Sequence, residues 1–194
     1  STLTRSSAAS DVYKRQLLIE SHKVQINKKK EISDSESIFI VGMPRSGSTL
    51  LESILSMSND VFDLGESNIL EEAYLLCKDS ERDINFYKYY KEKVLKKTEL
   101  NITTNKNLYN YQYAGIIARG IPNAKIIHCF RHPLDNILSI YRENFKRGNE
   151  YSSSLIDCAK VYLNQEEIIT DYKNRFRSKI YDLNYDTLVI NPNK

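Results

Sequence analysis

The residues best suited to chemistry lie in the stretch Val41–Leu50, "VGMPRSGSTL". Gly42 and Gly47 have the GxxxxG spacing of a phosphate-binding loop, and the hydroxyls of Ser46, Ser48 and Thr49 surround the second glycine. A glycine turn that opens a helix gathers backbone N–H groups and the positive end of the helix dipole on one point, so a phosphate is the natural ligand. A Walker A loop carries lysine at the position of Ser48, where it reaches β- and γ-phosphates beside a metal-binding acid. Neither that lysine nor that acid is recognisable here. The other strand of comparable quality, "KIIHCF", ends in Arg131 rather than in an acid. Arginine grips phosphate with a permanent charge and a two-pronged set of donors. One anion at the glycine loop and a second at Arg131 is therefore the expected layout. Ser139 lies in the second turn of the helix that follows, where its hydroxyl can point back toward that second anion.

These groups need a scaffold. Ser37–Val41 is short, β-branched and stopped by glycine, as a buried parallel strand should be. Ser48–Ser56 follows with Leu50, Leu51, Ile54 and Leu55 on one predicted helical face. Helical period continues over Asn68–Cys77 and over Ile84–Lys97, the latter with Phe86, Tyr90 and Val94 in one stripe. Leu100–Thr104 is a predicted strand and Leu108–Arg119 a helix ended by Gly120 and Pro122. Strand Lys125–Phe130 leads to a helix opened by Pro133 and running to Phe145. Helix Leu155–Tyr172 and strand Lys179–Leu183 complete the alternation. The expected fold is α/β, a three-layer P-loop-type arrangement with a parallel central sheet covered by helices.

Composition narrows the function classes. The 194 residues are 41% hydrophobic and carry a formal charge of +3, which suits one globular domain without a nucleic-acid footprint. Any anion site is local. No apolar run approaches the roughly 20 residues that span a bilayer. The three cysteines, Cys77, Cys129 and Cys158, are scattered, without CxxC or a run of histidines, which points to a reducing compartment and to no zinc. Cytoplasmic location is expected. Residues 1–16 are small and polar, with no periodic apolar face; "SSAASDVYKRQ" is similar to translated adapter sequence, so this segment is expected to be disordered and non-native. Residues 17–36 are expected to form a short helix over Leu17–Ile26 and a polar linker, with the domain proper in 37–194.

The pairing of "GMPRSGST" with "FRHPLDNILSIYRENF" resembles the sulfotransferases that use 3'-phosphoadenosine-5'-phosphosulfate (PAPS). The likeness is greatest to bacterial members joined to tetratricopeptide repeats, then to tyrosylprotein sulfotransferases, and covers roughly residues 37–192. The resemblance implies that Arg45, Ser46, Gly47, Ser48 and Thr49 bind the 5'-phosphosulfate and that Arg131 and Ser139 bind the 3'-phosphate. Ser48 replaces a commoner threonine and His132 a commoner Asp or Asn. "YDLNYDTLVINP" resembles a later strand and turn of the family, which would place Tyr185 near the nucleotide. "DLGES" resembles the family's Gly-Glu segment and makes Glu66 the candidate general base. Tyrosylprotein sulfotransferases have two successive acids there, and their second is Ser67 here. "TTNKNLYN" resembles the segment that carries the family's lysine, so Lys106 would stabilise charge on the leaving oxygen. Asn105 replaces the usual Asp before it.

His22 and His128 are expected to be structural or exposed. No metal is implied. The chain ends after "VINPNK", where family members continue, so a partial domain is expected. The acceptor stays open among carbohydrate, peptide tyrosine and small-molecule alcohol or amine, as does the oligomeric state. Two other readings stay open as well: a P-loop small-molecule kinase, and a nucleotide-binding fragment without catalysis.

Overall fold

The structure, a computed structural model, describes residues 35–79, 85–143, 145 and 149–191. The expected disorder of residues 1–16, the expected helix Leu17–Ile26 and its linker up to residue 34 lie outside the described residues. Five parallel strands form one sheet in the order β2-β3-β1-β4-β5. They are β1 (Glu36–Gly42), β2 (Val61–Asp63), β3 (Ile102–Asn105), β4 (Ala124–Phe130) and β5 (Ile180–Asn184). The helices are α1 (Ser48–Leu55), α2 (Ile69–Asp79), α3 (Phe86–Leu95), α4 (Ala114–Gly120), α5 (Pro133–Glu143), α6 (Leu155–Phe176) and α7 (Tyr185–Ile190). Tight 3-10 turns occupy Leu108–Tyr113 and Glu150–Ser153. The expected α/β architecture with a parallel central sheet is the one observed.

β1 lies at the centre because its run "IFIV" is apolar on both faces, with Phe39, Ile40 and Val41 wholly buried. Phe39 and Val41 face one layer, where Leu70, Tyr90, Ile116, Ile117, Ile126, Ile169 and Tyr172 make the main core. Ile40 faces the other, against Leu51 and Cys129. Each large side chain sealed in this way contributes about 2 kcal/mol through apolar burial. The stripe Phe86, Tyr90 and Val94 packs inward as its spacing predicts.

Three local expectations need correction. Of the four apolar residues of α1, only Leu51 is buried, while Leu50 and Ile54 stay more than a third exposed. The helix instead turns Ser48, Leu51 and Glu52 inward, because its first turn must lie over the end of the sheet. The run Leu108–Arg119 is not one helix. The Asn107 side chain caps Tyr109 N–H and its carbonyl accepts from Asn110 N–H at 3.0 Å, which tightens the first six residues into a 3-10 turn before α4 begins. Sequence periodicity also passes over β2, which at three residues is too short for an alternation, and over α7.

His128 is buried in β4 and structural, as expected. Its Nδ1 lies 3.2 Å from Asp182 Oδ1 on the neighbouring strand and 3.0 Å from Lys173 Nζ on α6, and its Nε2 lies 3.0 Å from Gln165 Nε2. Hydrogen bonding to His128 and then to Lys173 pulls the Asp182 carboxyl down to about 2, against the effect of burial. This set of polar contacts clips α6 to the β4–β5 edge.

Gly42 ends β1 with φ 142°, and a Cβ there would lie 2.2 Å from the carbonyl oxygen of Cys129 in β4. Gly65 has φ 61° in open surroundings. Gly42→Ala should therefore cost about 3 kcal/mol, from strain together with overpacking, and Gly65→Ala about 1 kcal/mol from strain alone. Urea midpoints of the two variants measure the difference, and equal midpoints would contradict the close approach.

Candidate active site

All strands run in one direction, so the segments after β1, β2, β3, β4 and β5 emerge at one end of the sheet. After β1 the chain turns through Met43–Ser46, with Arg45 at φ 67° and Gly47 at φ 89°, directly into α1. The N-cap of α1 is Gly47, which has no side chain to cap it, and the first turn holds no acid, which leaves its leading N–H groups suited to an anion. Ser46 is buried, and its Oγ has no hydrogen-bond partner among the described residues. A buried hydroxyl left unpaired inside a loop of N–H groups fits a ligand that supplies acceptor oxygens. Ser48 is buried below the loop and Thr49 exposed beside it.

The loop is held from α5. Asn136, wholly buried, donates from Nδ2 to the carbonyl oxygen of Pro44 at 3.0 Å. Ser139, one turn on, accepts from Arg45 Nε at 3.2 Å, and Arg45 Nη1 lies 3.8 Å from Glu143 Oε2. Ser139 thus meets the arginine of the glycine loop. Asn136 escapes a reading of the sequence because a single asparagine inside an amphipathic helix carries no signal of its own.

Arg131 follows β4. Its guanidinium lies over the Tyr185 ring at 5.2 Å, and its Nε is 3.4 Å from Asp186 Oδ1. The other oxygen of Asp186 accepts from His132 N–H at 2.9 Å. Tyr185 also closes over Gly47: a Cβ on that glycine would sit 2.1 Å from Tyr185 Cδ2. One ring therefore touches both the glycine loop and Arg131. The His132 side chain points away and pairs loosely with Asp135 at 3.8 Å.

Glu66 and Lys106 come together from β2 and β3. Past the sheet proper the two segments go on pairing: Leu64 N–H donates to Thr104 O at 3.0 Å and Lys106 N–H to Gly65 O at 2.8 Å. The buried Asn105 ties the same turn, giving Nδ2 to Ser67 O and accepting from Asn107 N–H and Asn110 Nδ2. Lys106 Nζ then donates to Glu66 Oε1 at 3.0 Å. The lysine side chain is nearly enclosed, whereas that of Glu66 is 73% exposed.

A third charged group joins them that the sequence did not announce. Glu52 of α1 is 5% exposed; its Oε1 accepts from Thr104 Oγ1 at 3.2 Å and its Oε2 lies 3.9 Å from Lys106 Nζ. Burial, then the hydrogen bond and charge of Asp63, push the Glu52 carboxyl up to about 7, with Lys106 and Thr104 opposing. The signal available in the sequence was the acid inside "STLLESILS", one turn after Ser48, which reads as the polar face of an amphipathic helix. Burial likewise pushes the Cys129 thiol up to about 12, which leaves it inert. Among the described residues no group of three or more His, Cys, Asp or Glu could hold a metal ion, and no helix is long and apolar enough to cross a membrane.

A family model described as "Sulfotransferase family" matches residues 37–99 and 84–194. A curated relative from Aquifex aeolicus (strain VF5), named only as an uncharacterized protein, is 30% identical over 179 residues, covering 80% of this chain and 24% of the relative. The chain thus spans about a quarter of the length of that relative. Among solved structures, the sulfotransferase domain from the Synechococcus PCC 7002 olefin synthase aligns with a TM-score of 0.55 at 18% identity, covering 86% of this chain and 72% of that one. A sulfotransferase from Alicyclobacillus acidocaldarius aligns with a TM-score of 0.51 at 16% identity, covering 81% and 76%. At such identities these structures establish likeness of fold.

The raised Glu52 carboxyl has a consequence for stability. The folded chain holds that proton more tightly than the unfolded one, so its contribution is full below the ordinary value near 4.5 and is lost as pH rises through about 7. Glu52→Gln cannot ionise. Relative to the unaltered protein it should gain roughly 3 kcal/mol between pH 4.5 and pH 8. Urea unfolding across that range measures the gain, and a constant difference would show that Glu52 is not held neutral.

Proposed function

The chain belongs to the sulfotransferase family, and on that premise we propose that it binds PAPS and moves the sulfuryl group to a hydroxyl or amine acceptor. The 5'-phosphosulfate sits on the glycine loop, taken by the N–H groups that open α1, the hydroxyls of Ser46, Ser48 and Thr49, and Arg45. The 3'-phosphate is held by Arg131, whose outer nitrogens extend beyond the Nε that faces Asp186, together with Ser139. Tyr185 lies against the adenosine side.

What supports this reading above all is the Tyr185 ring, which packs on Gly47 and carries Arg131 on its face, so that two anion-holding segments far apart in sequence share one wall. The unpaired Ser46 Oγ and the uncapped α1 add to it. An ATP site would call for a lysine at Ser48 and an acid after β4, where this chain has Arg131.

In the transfer step an acceptor oxygen or nitrogen bonds to sulfur as the bond from sulfur to the 5'-phosphate oxygen breaks. The electron pair leaves with adenosine 3',5'-bisphosphate, and the acceptor proton passes to Glu66. Lys106 faces the oxygen on which charge grows, a preorganised role that removes any call for a metal. The exposure of Glu66 beside the enclosed Lys106 suits a base that must meet an exchangeable acceptor.

Titration calorimetry with adenosine 3',5'-bisphosphate, set against ATP with Mg²⁺, tests the donor. The bisphosphate should bind tighter, and the reverse order would overturn the reading. Arg131→Ala should weaken the bisphosphate roughly 10- to 100-fold, the loss of charge-assisted hydrogen bonds, while 5'-AMP changes little. Equal losses would remove Arg131 from the 3'-phosphate. Glu66→Gln should keep bisphosphate affinity and lower its release from PAPS by roughly 10²-fold or more in the presence of phenol, sugar or amine acceptors. Unchanged release would remove Glu66 as base.

A further inference from the structure

Two carboxyls converge on one enclosed ammonium, and a third stands behind one of them. Lys106 Nζ is 3.0 Å from Glu66 Oε1 on the open side and 3.9 Å from Glu52 Oε2 on the inner side. Glu52 in turn is hydrogen-bonded to Asp63, which ends β2 and accepts the Gly65 N–H at 2.5 Å. The β2–β3 register places Asp63 opposite Thr104, the residue whose hydroxyl donates to Glu52. Glu52 therefore faces Asp63 from β2, Thr104 and Lys106 from β3 and the turn beyond it, and through Lys106 the Glu66 carboxylate. It stands one helical turn from Ser48, so it joins the lysine to the glycine loop.

We propose that Glu52 is a positioning residue that sets how much of the Lys106 charge reaches the bound donor: neutral and bonded to Asp63, it leaves Lys106 paired to Glu66 alone, and ionised, it draws the ammonium inward. This rests on the reading that Lys106 contacts the 5' end of the donor. Two carboxylates about one ammonium overcompensate it, and in an enclosed site little water remains to screen the second. A Glu52 carboxyl that keeps its proton beside Asp63 avoids that state. Loss of that proton on the alkaline side takes electrostatic stabilisation away from the leaving oxygen and weakens the grip on the 5'-phosphate. The raised Glu52 carboxyl places that loss near pH 7.

The experiment is calorimetry of adenosine 3',5'-bisphosphate from pH 6 to pH 8.5 on the unaltered protein, Glu52→Gln, Lys106→Ala and Thr104→Val. Phosphate titration of the ligand is common to all four and cancels in the comparison. Affinity of the unaltered protein should fall with a midpoint near 7, by about tenfold more than in Glu52→Gln, the order of one pKa unit of coupling. Lys106→Ala should bind more weakly and lack the alkaline fall, because the fall acts through the ammonium. Thr104→Val removes a hydrogen bond that favours the Glu52 carboxylate, so its midpoint should move to higher pH. That variant decides the matter if Glu52→Gln does not fold. The same pH dependence in Glu52→Gln as in the unaltered protein, a fall that persists in Lys106→Ala, or an unmoved midpoint in Thr104→Val would each overturn the proposal. Absence of bisphosphate binding at every pH would overturn the reading of the donor instead, so the two failures are distinct.

Discussion

The end of β1 comes so close to β4 that Gly42 has the Cys129 carbonyl where a side chain would begin. The glycine loop and Arg131 inherit their proximity from that contact, since each is the first irregular segment after one of those two strands. Parallel pairing carries the register up to Gly42 opposite Cys129, and both chains leave the sheet at one level. A bulkier residue at Gly42 would part the strands at the point where the glycine loop and the Arg131 segment leave the sheet. Tyr185 fills the space left between them, stacked under a guanidinium and pressed on the second glycine.

Across the sheet from that aromatic wall, β2 and β3 solve a different problem. A nearly enclosed lysine costs several kcal/mol unless carboxylates and hydrogen bonds surround it, and breaking such a set is more damaging than never building it. Lys106 meets Glu66 and Glu52, and the turn that carries it is fastened to the Gly65–Ser67 segment by one backbone bond and by Asn105. The backbone ties fix the distance between lysine and glutamate before their charges come into play. Asn105 performs this as a neutral amide, donating and accepting at once, which an aspartate could not do.

What could be read in the sequence follows from the range of the interactions. Buried strands β1 and β4 are legible because both faces are apolar and the run is short, and the glycine spacing is legible because backbone geometry demands those residues. The parallel sheet followed from the alternation of elements. Contacts between distant segments were not legible. The bond from Arg45 to Ser139 joins residues 94 apart, and nothing local in the sequence pairs them. Glu52 carries no signal of its burial in the sequence, yet Leu50 and Ile54 stand more exposed than it does. Periodicity assigns a helix a face but not the direction of that face. For an eight-residue helix set by its loop, the loop decided.

Chain order adds a temporal consequence. β1 is the first described strand and the central one, yet both of its neighbours, β3 and β4, come later in the chain. During synthesis at roughly 5–20 residues per second, the apolar "IFIV" run and its glycine loop emerge before any partner strand exists. Ser139 arrives later, and Tyr185 and Asp186 later still. A fold so rich in distant pairings closes slowly, because loop entropy must be lost before the contacts return it. The last wall of the candidate site is therefore set by the last described helix, and the glycine loop lacks its Tyr185 cover until α7 has been translated.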